Sequence, residues 1–146
     1  MTKINNKEIT FYYKSVKYTL PNEKLISNTI KEILVANDIT EYNITFIFTN
    51  IKEITKLNNK YLTHNYPTDI LTFNYSEDYR IFGGDIYICT NVVYENAEEY
   101  NTNVNDEMLR VIFHGILHLL GHNDQTEEEA LNMRVLEEEC IKKHKK

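Results

Sequence analysis

Apolar residues recur along this chain with two different periods, and the switches between them predict its elements. The stretch 11–20, FYYKSVKYTL, opens with the aromatic character of a strand. After Pro21-Asn22, the residues Leu25, Ile26, Ile30, Ile33 and Leu34 fall at helical spacing and predict a helix. Residues 43–49, NITFIFT, are β-branched and aromatic and read as a strand. Asn50, with Glu53 three residues later, has the form of a capping box and opens a short helix with Ile54 and Leu57 on one face. Two short strand-like runs follow, DILTF (69–73) and GDIYICT (84–90), separated by a polar stretch. The Gly83-Gly84 pair reads as a turn, because no Lys or Ser/Thr follows at phosphate-loop spacing.

The rest of the chain is helical in pattern. Val92, Val93, Asn96, Ala97 and Tyr100 share one side of a helix over 91–100. Asn105-Asp106-Glu107 then forms a helix start, a cap followed by two acids against the positive helix end. Met108, Leu109, Ile112, Phe113, Ile116, Leu117 and Leu120 make that helix apolar over most of its surface, as a central buried helix requires. Gly121 ends it. Thr126 with Glu129 predicts a second capping box and a last helix to about residue 141. The mixed order predicts an α/β (α+β) fold: one domain spanning residues 1–146, with one central mixed sheet of about four or five strands and helices packed on it.

Composition narrows the class. A chain of 146 residues with 42% hydrophobic residues and few Gly (4) and Pro (2) builds one core and is neither disordered nor fibrous. The opening residues carry scattered charges without an apolar core, and no run approaches the roughly 18 apolar residues of a membrane span. Cys89 and Cys140 form no framework and read as reduced structural thiols. A cytoplasmic protein with no membrane partner is the expectation. The net charge of −6 argues against binding nucleic acid with the whole surface. Residues 1–60, however, hold nine lysines against six acids, enough for a local basic face.

One segment carries chemistry: HGILHLLGHND, residues 114–124. His114 and His118 stand about 40° apart around the helix axis and roughly 6 Å along it. Two imidazoles so placed converge on one ion through bonds of about 2.0–2.1 Å. Both lie in an otherwise apolar helix, where unpaired imidazoles are costly to bury. Gly121 lets the chain turn back so that Asp124 supplies a third ligand from the loop, and three protein ligands leave a position open for catalysis. The competing reading, core histidines satisfied by hydrogen bonds, leaves the helix-ending Gly and the following acid unexplained. One divalent ion, with zinc the first choice, is therefore expected on the central helix. Position 115 separates the possible chemistries. A zinc protease of the H-E-x-x-H type has its water-activating Glu there, and here the residue is Gly115.

These residues carry a resemblance. GGDIYI (83–88), NAEEYN (96–101), HGILHLLGHND and the upstream LNNKYLTHNYPTDILTF (57–73) are similar to the motifs of the YbeY family of metal-dependent endoribonucleases, described as rRNA maturation factors. The resemblance implies a single α/β domain, a zinc-type site and cleavage of single-stranded RNA. It further implies a role in 16S rRNA 3′-end processing and ribosome quality control, with the 16S rRNA precursor and the small ribosomal subunit as partners.

Two positions depart from the family pattern. The last motif histidine falls at Asp124; carboxylate oxygen is an acceptable zinc ligand, but it removes one unit of the ion's net charge and opens the site to Mn²⁺ or another first-row ion. His122 is the rival third ligand, set aside on motif position and on the rotation expected at Gly121. Leu62 stands where the family has an Arg thought to meet the RNA phosphate; Arg110, Lys60 and His64 are candidate replacements, each also readable as a surface residue. Arg110 and His64 are thus the weak catalytic candidates beside an activated water. Thr68, Asp69 and Asp85 lie in family motifs, with Asp69 and Asp85 also readable as caps or turns at strand ends. The KKHKK tail complements the helix dipole and is expected to fray into solvent. Two other functions fit parts of this pattern: a zincin-like metalloprotease, and a non-enzymatic ribosome-associated protein with a structural metal.

Overall fold

The computed structural model describes residues 7–64, 67–75 and 81–146. Strand β1 (Lys7–Tyr13) lies at one edge of a four-stranded sheet and pairs in parallel with β2 (Tyr42–Thr49). Helix α1 (Glu23–Ala36) makes the crossover between them, burying Ile26, Ile30, Ile33 and Leu34. Register aligns aromatic residues on one face: Phe11 stacks on Phe46 and Tyr13 on Phe48, each with ring centroids 5.2 Å apart. In β2 Ile44, Phe46 and Phe48 are buried while Asn43 is exposed, the alternation a sheet half covered by helices demands.

Helix α2 (Ile51–Leu62) follows at once, and the Asn50 side chain accepts from the Glu53 N–H at 3.0 Å. Strand β3 (Ile70–Asn74) is the antiparallel edge, and β4 (Phe82–Cys89) sits between it and β2, giving the order β1-β2-β4-β3. Helices α3 (Thr90–Glu99), α4 (Val104–Leu119) and α5 (Glu127–Lys145) complete the described chain. The expected mixed sheet is present, with four strands among the described residues.

Alternation in β4 divides the core between the two faces. Ile86 and Ile88 face the main cluster with Phe46, Phe48, Phe113 and Ile116, whereas Tyr87 and Cys89 meet Ile54, Leu57 and Leu71 under α2. Helix α4 lies against the first face. It has ten buried residues out of 16 because it is covered by the sheet on one side and by α5 on another. Its approach is set at Gly115, where an added Cβ would stand 3.0 Å from Ile86 Cδ1 and 3.1 Å from Ile70 Cδ1.

Several local expectations shift. The cap of α4 is Asn103 rather than Asn105; its side chain accepts from the Asn105 N–H at 2.8 Å, and the acids Asp106 and Glu107 lie within the first turn. The Thr126–Glu129 box is complete, with both bonds at 3.0 Å. Helix α5 continues past 141 to Lys145, and its tail has partners rather than standing alone in solvent. His144 Nδ1 lies 2.9 Å from Thr29 Oγ1 and Lys145 Nζ lies 2.9 Å from Asp106. Gly83 and Gly84 form no turn: both lie inside β4, where a Cβ would collide with the main-chain carbonyls of Asn43 and Phe73. Cys89 and Cys140 are buried free thiols, and burial pushes Cys140 up to about 11. No helix among the described residues is long and apolar enough to cross a membrane.

Candidate metal centre

The last two turns of α4 carry His114 and His118, and the chain that reverses beyond them carries Asp124. The reversal is a Schellman motif: the Gly121 N–H bonds to His118 O and the His122 N–H to Leu117 O, both at 3.0 Å. Gly121 supplies the left-handed residue that motif needs, with φ +101°. The returning loop sets Asp124 Oδ2 3.4 Å from His114 Nε2 and 3.5 Å from His118 Nε2, and the two Nε2 atoms stand 2.9 Å apart.

These spacings suit one ion. Bonds of about 2.0–2.1 Å in tetrahedral geometry place donor atoms about 3.3–3.4 Å apart, close to the two carboxylate distances, and the imidazole pair lies somewhat nearer. Two imidazoles and a carboxylate are also a donor set that zinc and other first-row ions accept. Among the described residues this is the group of His, Cys, Asp and Glu side chains whose ligand atoms come together, all within 4.8 Å. Side-chain exposure rises from 20% at His114 through 29% at His118 to 38% at Asp124, so the cluster opens to solvent on the loop side.

His122 does not join it. Its exposed side chain lines a separate recess together with Ile33, Leu117, Leu136 and Cys140. Gly115, between the two histidines in the helix, faces Ile86 and Ile70. A side chain at 115 would press on Ile86 and Ile70.

On the other flank of His114 lies a polar recess of about 210 Å³ lined by Asp69, Asn96, Tyr100, Glu107, Arg110, Arg134 and Glu137. Arg110 is committed there. It pairs with Glu107 at 3.7 Å, with Glu137 at 3.2 Å and with Glu138. Leu62 is the last residue of α2 and is 47% exposed. Lys60 sits over the Tyr61 ring at 5.2 Å, and His64 is exposed just beyond the helix, its N–H bonded to Asn58 O. None of the three is brought into the His–Asp cluster. Asp85 lies within β4, opposite Phe73 and Thr45, and accepts from the Tyr75 hydroxyl at 2.7 Å; it is neither a cap nor a turn residue. The Thr68 hydroxyl stands 3.4 Å from Asp69 Oδ1.

Charge in the centre is unevenly balanced. Burial works against the protonated form of His114. The hydrogen bond and charge of Glu137, followed by the charges of Asp124 and Asp69, outweigh it and raise the His114 pKa. Burial raises the Asp69 carboxyl, and the charge of His114 only partly offsets this. A carboxyl whose folded pKa exceeds its unfolded value contributes stability that is fully present below the unfolded pKa and lost as pH rises through the folded one. Asp69→Asn is therefore expected to stabilise the metal-free protein at about pH 7, with the gain shrinking towards about pH 4. Urea denaturation of both proteins at the two pH values measures this; a less stable Asn variant at neutral pH would refute it.

Glu137 escapes a reading of the sequence. It sits in the run Glu137-Glu138-Glu139, which has the look of a solvated helix face, yet its side chain is only 8% exposed and its Oε2 lies 2.6 Å from His114 Nδ1. The signal available was its helical spacing from Met133, Cys140 and Ile141, all buried on the same side.

Similarity to known proteins agrees with this architecture. Residues 4–145 match the family model described as Endoribonuclease YbeY. A protein named endoribonuclease YbeY from Amoebophilus asiaticus is 37% identical over 126 residues, 86% of this chain and 86% of its own length. Its namesake from Azobacteroides pseudotrichonymphae is 39% identical over 127 residues, covering 87% and 91%. A solution structure of a Thermotoga maritima protein superposes with a TM-score of 0.64 at 29% identity, covering 94% of this chain and 89% of that one. With a mixed sheet carrying a His–His–Asp cluster at the end of its central helix, and with these relatives, the chain belongs to the YbeY endoribonuclease family.

Proposed function

We propose that this chain is a metal-dependent endoribonuclease specific for single-stranded RNA. Residues 1–146 act as one metallohydrolase domain in the cytoplasm. The substrate is the 16S rRNA precursor on the small ribosomal subunit, during 3′-end maturation and quality control. Zinc is the ion, held by His114, His118 and Asp124. The observation that carries the reading is the convergence of these three donors within 2.9–3.5 Å at the open end of α4.

When bound, a divalent ion supplies Lewis acidity, polarising a phosphoryl oxygen and acidifying water at neutral pH. The chain's own part is to hold and orient. His114 and His118 offer ring nitrogens from a largely buried helix, and Asp124 closes the set from the loop with a carboxylate oxygen. The solvent-facing side admits an RNA strand. Peptide hydrolysis of the H-E-x-x-H kind lacks its base, because position 115 holds Gly where that motif has Glu. The attacking group is either water or the neighbouring 2′-hydroxyl.

The test is cleavage of single-stranded and duplex RNA by zinc-replete, chelated and zinc-restored protein. The expected result is cleavage of the single strand only, abolished by chelation and restored by zinc. A 2′,3′-cyclic phosphate product identifies the 2′-hydroxyl as nucleophile; a 5′-phosphate with a 3′-hydroxyl identifies water. Equal rates with and without metal would overturn the proposal, and chelator-sensitive cleavage of casein but not RNA would replace it with a protease.

A further inference from the structure

We infer that Glu137 is a positioning residue of the metal centre, fixing His114 in the tautomer and orientation that present Nε2 to the ion. The inference rests on reading His114, His118 and Asp124 as ligands. Helix α5 packs along α4 and brings Glu137 to the ring edge opposite that cluster. Its Oε2 lies 2.6 Å from His114 Nδ1 and its Oε1 lies 3.2 Å from Arg110 Nη1. A carboxylate offers only lone pairs, so Nδ1 must be the donor and carry the proton. In the neutral ring that a metal ion requires, the lone pair is then left on Nε2, the atom 2.9 Å from His118 Nε2 and 3.4 Å from Asp124 Oδ2.

Arg110 makes this arrangement stiff. It stands one helical turn before His114 on α4, so the guanidinium and the imidazole grip the two oxygens of one carboxylate. Rotation of the Glu137 head would break one of those bonds. Outer-shell carboxylates that orient a ligating imidazole typically carry about 10–100-fold in metal affinity. The competing account makes Glu137 only a clamp between α4 and α5.

Glu137→Gln separates the two. A Gln head has the same shape but one acceptor, so it must turn its NH₂ towards either Arg110 or His114, both donors. Zinc affinity by competition with a chromophoric chelator, visible spectra of cobalt-loaded protein and metal-free melting temperatures would be compared for wild type, Glu137→Gln and Glu138→Gln. The control touches Arg110 but not His114. Glu137→Gln is expected to bind zinc about 10–100-fold more weakly with shifted cobalt bands, and its metal-free form to melt below wild type because a donor then faces a donor. Glu138→Gln should match wild type throughout. Unchanged zinc affinity in Glu137→Gln overturns the inference, as does an equal loss in Glu138→Gln, which would assign the effect to helix docking. Should Glu137→Gln not fold, NMR of zinc-loaded wild type still decides. A protected, downfield His114 Nδ1–H is expected, and metal on Nδ1 or a freely exchanging Nδ1–H would overturn it. A wild type that binds no zinc defeats the ligand assignment itself, and with it this role.

Discussion

His118→Ala and Asp124→Ala are each expected to fold and to lose bound metal and RNA cleavage together, whereas His122→Ala keeps both. Each of the first two changes removes one of only three donors. The loss of affinity should therefore exceed the roughly 10–100-fold typical of an outer-shell substitution, which is about 1.4–2.7 kcal/mol. Folding should survive, because His118 and Asp124 are partly exposed and the apolar face of α4 is untouched. The His122 N–H bonds to Leu117 O, a contact that alanine retains, and its exposed side chain lines a separate recess. Metal content of the purified proteins, circular dichroism and an RNA cleavage assay, run side by side, check all three. Full metal retention in Asp124→Ala, or its loss in His122→Ala, would move the third ligand position and refute the geometry described.

Gly84→Ala should be strongly damaging, small as the change is. In an ordinary strand this change is neutral or helpful, since glycine is the poorer strand residue. At position 84 the added carbon would meet the main-chain carbonyl of Phe73 and come within 3.2 Å of Asn74 Cα, neither of which can rotate away. Strand β3 would have to lift off β4. Its first residue, Ile70, packs under Gly115 of α4, and Asp69 just before it lines the recess beside His114. Strain then reaches the site as well as the sheet. We expect destabilisation at or above the upper end of the ~1–3 kcal/mol usual for overpacking. In a chain of this size that is a fall in melting temperature of roughly 6–12 °C. Thermal and urea unfolding measure it, and a variant as stable as wild type would show that the two strands are not so closely apposed.

Much of this was legible one residue at a time. The helical period of Leu25, Ile26, Ile30, Ile33 and Leu34 marks the buried face of α1, and every one of these but Leu25 is buried. The box at Thr126–Glu129 marks the start of α5, and the i, i+4 histidines mark the site. All are local: the residues involved lie within a few positions, so backbone geometry alone decides whether they share a face. Where reading failed, the deciding neighbour was remote. Gly83-Gly84 has the composition of a turn, and nothing nearby in the chain reveals that Asn43 and Phe73 press on it from both sides. The basic tail looked free until α1 and the start of α4 were placed beside it.

The sequence by itself determined the element order, the helix that carries the histidines, the glycine that reverses the chain after them and the acid next in reach. Each follows from dihedral preference and spacing over a dozen residues. Only the tertiary structure decided the rest: that His122 is turned away while Asp124 is turned in, that Arg110 is spent on Glu107, Glu137 and Glu138, and that Glu137 backs His114. The reason is that burial and charge pairing depend on which elements pack together. A glutamate 23 positions from its histidine becomes its partner only when α5 folds back along α4.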